Sequence, residues 1–168
     1  QLTNEKFEFF IQLKKTNKKD IRDLKALVSA IDPKQFRARN RSACYLNPTF
    51  GDASRLVRGA DADVVIDDKI IEIKTTKSLK LDRRDLHQLV GYYILLLLDG
   101  ITSLESDGEQ HVRYAESVSD INYLGIYFSR YAYLHLWSVQ DLLKSNMLAS
   151  FAKRFIEYAC RDENRRFA

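Results

Sequence analysis

The chain has 168 residues, a formal net charge of +4 and a pI near 9.0, a size that fits one domain with a sizeable core and a charge that permits a polyanionic partner without demanding one. Its 45% hydrophobic and 11% aromatic content fits a globular protein. Cys44 and Cys160 belong to no Cys-x-x-Cys pair, which argues against structural zinc, and the longest apolar run, 92–98, is too short to cross a bilayer.

Two lone cysteines read as reduced core residues of a cytoplasmic protein. No secretory signal is visible, and a chain that opens on Gln1 rather than Met reads as a piece of something longer or a trimmed form. With neither repeat nor linker, 1–168 reads as one domain.

Residues 2–31 are helical in pattern. Phe7, Phe10, Ile11 and Leu13 mark one amphipathic segment, and Ile21, Leu24, Leu27, Val28 and Ile31 a second. Between them Lys14, Lys15, Lys18 and Lys19 form a basic knot that reads as a solvated helix end. Asp32-Pro33 breaks the helix. Arg37, Arg39 and Arg41 then alternate, which on an extended strand puts three guanidiniums on one side, to bind phosphate or to sit in water. A turn-rich loop at 47–52 leads into a first strand expected at 55–58, and Gly59 allows a bend after it.

The stretch 59–74 carries the strongest signal, a hairpin with clustered charge. If Asp67-Asp68 is the turn, Asp63 stands opposite Glu72 and Asp61 opposite Lys74, all on one face. The other face collects Ala62, Val64, Ile66, Ile71 and Ile73, an apolar set suited to lying under a helix. Clustered carboxylates repel one another and are penalised by desolvation, so this face asks for a divalent cation, and hard oxygen ligands suit Mg2+ or Mn2+. Either Asp61 or Asp63 can serve as the first acid. The register favours Asp63.

After Lys74 the polar, cationic segment 75–80 runs off the end of the strand, either as a bed for a phosphate backbone or as an exposed connection. Asp82 is the expected N-cap of a helix over 83–98, with Gly100 past its end and a leucine-rich, buried second half. Gln88 and Tyr92 stack one turn apart on it and can address one ligand together. His87 points about 100° away and reads as a supporting residue. His111 is expected in a loop over 101–120 and His135 in a strand, without spacing for a metal site or a triad. Residues 123–137 read as a hairpin whose aromatics, on alternating positions, are ordinarily core or half-exposed sheet residues. Ser138 caps a last long helix over about 139–163, ending in a basic tail with Arg161, Arg165 and Arg166.

Asp63, then Glu72-x-Lys74 on the next strand, then Gln88-x-x-x-Tyr92 on the following helix together resemble the PD-(D/E)xK nuclease superfamily in its RecB-like branch. The resemblance covers roughly 47–98 and the layout after it. It implies an α/β, restriction-endonuclease-like core (αβββαβ) with a mixed central sheet flanked by helices. It implies metal-dependent hydrolysis of phosphodiester bonds, in DNA rather than RNA, with Mg2+ or Mn2+ held by Asp63, Glu72 and the Ile73 carbonyl. Lys74 would position the attacking water, and Gln88 and Tyr92 would contact the substrate and brace the site. Lys77 and Arg84 are the cationic candidates for substrate contact. Glu5 or Glu8 could add a ligand from the first helix. The residue before the first acid, Pro in founding members, is Ala62 here, as is common in the RecB-like branch. The other class open to this chain is a catalytically silent nucleic-acid-binding or partner-binding domain of a larger assembly.

Overall fold

The computed structural model describes residues 17–39, 44–104, 110–113, 121–143 and 145–164. The first amphipathic segment at 7–13, with Glu5, Glu8, Lys14 and Lys15, lies outside them, as do Arg41, Arg165 and Arg166.

Helix α1 (Lys18–Ala30) opens at Asn17, whose side chain accepts a hydrogen bond from the Lys19 N–H at 2.9 Å. It stops where Asp32 precedes Pro33, because a residue before proline is driven into the extended region. Asp32 then caps a single 3-10 turn, Pro33–Phe36.

Strand β1 is Cys44–Leu46, and the strand expected at 55–58 is replaced by a 3-10 helix, Gly51–Val57. The hydrogen bonds explain the correction. The Phe50 N–H donates to Ser54 Oγ at 2.8 Å, and the Ala53 N–H donates to Asp99 Oδ2 at 3.1 Å. Gly51 supplies the φ of +53° that starts the turn.

Strands β2 (Val64–Ile66) and β3 (Lys69–Lys74) form the expected hairpin. Val64 pairs with Ile71 and Ile66 with Lys69, so the turn is Asp67-Asp68. Asp67 takes the positive φ, 51°, that two-residue hairpin turns need at their first position. Arg39 braces this turn: its N–H donates to Asp67 Oδ1 at 3.0 Å, and its guanidinium lies 3.6 Å from both Asp67 and Asp68. It therefore sits at the end of β3 remote from Lys74.

Helix α2 (Arg83–Asp99) begins in a capping box between Asp82 and Asp85 and ends at Gly100, φ 72°. Every residue from 89 to 96 is buried. The region expected as a loop at 101–120 contains a separate two-stranded sheet, β4 (Ile101–Leu104) with β5 (Gln110–Arg113), the latter carrying His111. Strands β6 (Tyr123–Phe128) and β7 (Tyr133–Ser138) follow, with Tyr131 in the connecting 3-10 turn rather than in a strand. The long C-terminal helix is two helices, α3 (Val139–Leu142) and α4 (Ser145–Asn164). Leu143 leaves helical geometry at φ −122°, ψ 78°, and Leu142 and Leu143 both pack on the core at this break.

The fold is thus α/β, with a five-stranded mixed sheet in the order β1-β2-β3-β6-β7, flanked by helices. Only β3 and β6 run parallel. Val65, Ile70, Leu124 and Ile126 point to the face covered by α2, in one cluster with Leu89, Ile94, Leu95 and Leu96. Val64, Ile66, Ile71 and Tyr127 point to the other face, against Ile31, Phe36 and Ala38. The charged side of the hairpin is therefore the side beneath the main buried helix. On the expected all-apolar side Val64, Ile66 and Ile71 are buried, whereas Ile73 is exposed and Ala62 joins the opposite cluster.

Candidate active site

The site forms where three stretches of backbone end together. Alternation along β3 puts Ile70, Glu72 and Lys74 on the α2 side. Ile70 lies wholly buried beneath α2, while Lys74, at the strand end, comes under the polar first turns of that helix, where Asp85 and Gln88 replace the leucines.

Four side chains are bonded to one another there. Lys74 Nζ donates to Glu72 Oε1 at 3.1 Å and to Gln88 Oε1 at 2.9 Å. Gln88 Nε2 donates to the same Glu72 oxygen at 3.0 Å and to the Tyr92 hydroxyl at 2.6 Å. These contacts fix the Gln88 amide orientation, since only its nitrogen can donate to a carboxylate. Lys74 also lies 3.5 Å from Asp85 Oδ1. Its ammonium thus takes acidic partners from Glu72 and from the helix, rather than from Asp61.

Asp63 stands just before β2 and opposite Glu72 in the hairpin register. Its Oδ2 accepts a hydrogen bond from the Ile73 N–H at 2.6 Å, which ties the first acid to the main chain between Glu72 and Lys74. Asp61 is exposed and its backbone makes an isolated bridge to Thr49. Behind Lys74, its carbonyl accepts from Ser129 Oγ at 3.4 Å, and Ser129 and Thr75 share a 2.9 Å hydroxyl contact.

The electrostatics follow from burial. Glu72 is only 8% exposed. Desolvation, and then the charge of Asp63, push its carboxyl above the ordinary 4.5, against the hydrogen bond and charge of Lys74 and the hydrogen bond from Gln88. Tyr92 is pushed up to about 12 by burial and by the charges of Glu72, Asp61 and Asp63. It stays neutral and stacks on Phe50, ring centroids 5.3 Å apart. Tyr92 is therefore placed as a brace behind Gln88.

The cationic candidates sit at the rim. Lys77 is exposed, and its carbonyl accepts from the Tyr131 hydroxyl at 2.7 Å. Arg84 is exposed with Asp82 at 3.4 Å. His87 is exposed on the same helix as Arg84.

Asp85 escaped the sequence reading, although it lies three residues before Gln88 and so shares its helical face. Its Oδ2 accepts from the Asp82 N–H at 2.9 Å, so one carboxylate both closes the capping box and holds Lys74.

Among the described residues no group of three or more His, Cys, Asp or Glu side chains converges as a metal site. The donors present are a facing pair of carboxylates and nearby main chain. That pair, one member raised in pKa by its burial and then by the other's charge, fits a hard divalent cation that keeps several waters. Comparison with family models, curated protein sequences and solved structures finds no match. Among the described residues no helix is long and apolar enough to cross a membrane.

Proposed function

We propose that this chain is a metal-dependent nuclease that hydrolyses phosphodiester bonds in DNA, built on a restriction-endonuclease-like core of the PD-(D/E)xK kind. One observation carries the reading: Glu72, Lys74 and Gln88 form a closed triangle of hydrogen bonds directly across the hairpin from Asp63. The order helix, three antiparallel strands, helix and a parallel fourth strand supports it, as does the polar start of α2 over the site.

Asp63 and Glu72, with the Ile73 carbonyl, would hold Mg2+ or Mn2+. When bound, such an ion supplies Lewis-acid polarisation of a phosphoryl oxygen. Lys74 contributes a fixed positive charge. Three partners hold its ammonium in one place, so it can orient an attacking water and stabilise charge developing on the phosphate without reorganising. Gln88 fixes the distance between Lys74 and Glu72, and Tyr92 and Phe50 keep Gln88 from turning away.

The test is cleavage of linear duplex DNA, circular single-stranded DNA and RNA with Mg2+, Mn2+ or EDTA. Glu72→Ala and Lys74→Ala should each lose about a hundredfold or more of the rate while keeping the fold. Variants that cut as well as the wild type would overturn the assignment. A wild-type chain that binds DNA in EDTA and cuts nothing under any metal would leave a binding domain.

A further inference from the structure

The face of the sheet that carries Glu72 continues across two more strands to an open aromatic row. Glu72 pairs with Ile126 and Ile126 with His135, while Lys74 pairs with Phe128 and Phe128 with Tyr133. His135 and Tyr133 therefore stand level with the site residues, two strand spacings or roughly 10 Å away. Trp137 completes the row. The His135 ring lies 4.2 Å from the Trp137 ring and 6.0 Å from that of Tyr133, whose hydroxyl sits 2.9 Å from His135 Nδ1.

These rings floor a groove of about 350 Å³ whose other wall is Leu79 and Leu81. That wall is not left loose: the Tyr131 hydroxyl holds the Lys77 carbonyl at 2.7 Å, and Thr76 Oγ1 holds the Ser78 carbonyl at 2.7 Å. The same stretch displays exposed Lys77, Lys80, Arg83 and Arg84. An apolar slot with a floor of mutually tilted aromatic rings and a cationic rim thus opens roughly 10 Å across the sheet from the site.

We infer that this groove takes an unpaired base of single-stranded DNA, stacked against the exposed Tyr133 ring next to His135, while the strand's phosphates follow the Lys77, Lys80 and Arg84 rim toward Lys74. The inference rests on the nuclease reading and deepens it by naming the substrate class. The charge of the rim selects a polyanion, and the aromatic floor selects a ligand with a free π face. Duplex bases have both faces stacked within the helix, so only a splayed or single strand can enter.

Trp137 is the only tryptophan of the chain and lines this groove, so the chain's tryptophan emission comes from its floor. The full chain, in EDTA to prevent cutting, is titrated with a short oligothymidine and with a blunt duplex at equal phosphate concentration. Trp137 emission should be quenched by the single strand and not by the duplex. Tyr133→Ala and His135→Ala should weaken oligothymidine binding about tenfold with unchanged melting temperature. Tyr123→Ala, half-exposed on the opposite face, should bind as the wild type. Should Tyr133→Ala fail to fold, the wild-type quenching comparison still decides. Equal quenching by the duplex, or full binding by both groove variants, overturns the inference. Metal-dependent cleavage with unresponsive Trp137 emission overturns it and leaves the nuclease reading standing, whereas no binding of any nucleic acid together with no cleavage under any metal overturns both.

Discussion

The two faces of the central sheet are made from alternate residues of the same strands, yet they are finished in opposite ways. On one, Val65, Ile70, Leu124 and Ile126 are sealed by α2, whose residues from 89 to 96 are all buried. On the other, α1 contributes no buried residue, and Val28 on it is 68% exposed. Between α1 and the sheet lies an apolar groove of about 650 Å³, lined by residues such as Leu27, Ile31, Phe36, Ile66 and Tyr127. The charged residues of the hairpin belong to the sealed face. A carboxylate needs a dry surround to acquire a raised pKa, and a fixed ammonium needs rigid neighbours, so the site lies where the packing is tight.

The contrast is most directly broken by cavity formation. Ile94→Ala, in the wholly buried part of α2, should cost about 2–5 kcal/mol in urea unfolding. Val28→Ala should stay within about 0.5 kcal/mol. Comparable losses from the two would mean that α1 packs as firmly as α2 and that the two faces do not differ in kind.

How far the sequence leads depends on the range of the interactions that decide each element. The hairpin register was legible because it follows from turn parity, and α2 was legible because Asp82 and Gly100 mark its ends locally. Gly51–Val57 was not. Its first turn is held by Asp99, 46 residues away, and the residues Arg55 to Arg58 carry no local sign of that bond. Which hairpin face meets α2 was also hidden, because alternation assigns residues to faces without saying which partner covers each. In the site, Asp63 faces Glu72 as the turn parity implied, and Gln88 meets Glu72 and Lys74 as the resemblance implied. Asp85 reads locally as the capping-box partner of Asp82, and only the i, i+3 relation to Gln88 links it to the site.

Gly51 offers a smaller perturbation of the sealed face. A methyl group there would run into the Asp99 carboxylate, and the φ of +53° is strained for any other residue. Gly51→Ala should cost about 1–3 kcal/mol. Because Phe50 stacks on Tyr92, it should also lower the proposed cleavage by loosening Gln88. An unchanged unfolding midpoint would show that Asp99 and the 3-10 helix yield easily.

Glu72 sharpens the comparison through pH. Its carboxyl titrates above 4.5 in the fold, chiefly from burial, so the folded state binds this proton more tightly than the unfolded chain does. Its stabilising contribution is complete below 4.5 and is lost as pH rises through the raised value. In EDTA, the melting temperature of the wild type relative to Glu72→Gln should therefore be highest at low pH and fall toward neutrality. Mg2+ at neutral pH should raise the wild type and leave Glu72→Gln unmoved, by mass action on the folded form. A flat difference across pH would deny the burial of the charge, and an equal Mg2+ response would move the ion elsewhere.

The smallest effect belongs to the exposed face, at the ion pair that ties α1 to the β6–β7 turn. Arg130 donates to Asp23 through both terminal nitrogens, at 2.9 and 2.7 Å. The bond from Arg130 holds the Asp23 carboxyl below its usual 3.8, so what the pair contributes is present above that value and fades as pH falls through the lowered one. Because α1 buries so little, Asp23→Ala should scarcely move global unfolding, as exposed pairs seldom do. It should instead speed amide exchange in Lys18–Ala30 while leaving Arg83–Asp99 protected, and salt should do the same to the wild type. If exchange in α2 rose with that in α1, the two helices would unfold as one unit, and the division between a sealed and a thinly covered face would not extend to the energetics.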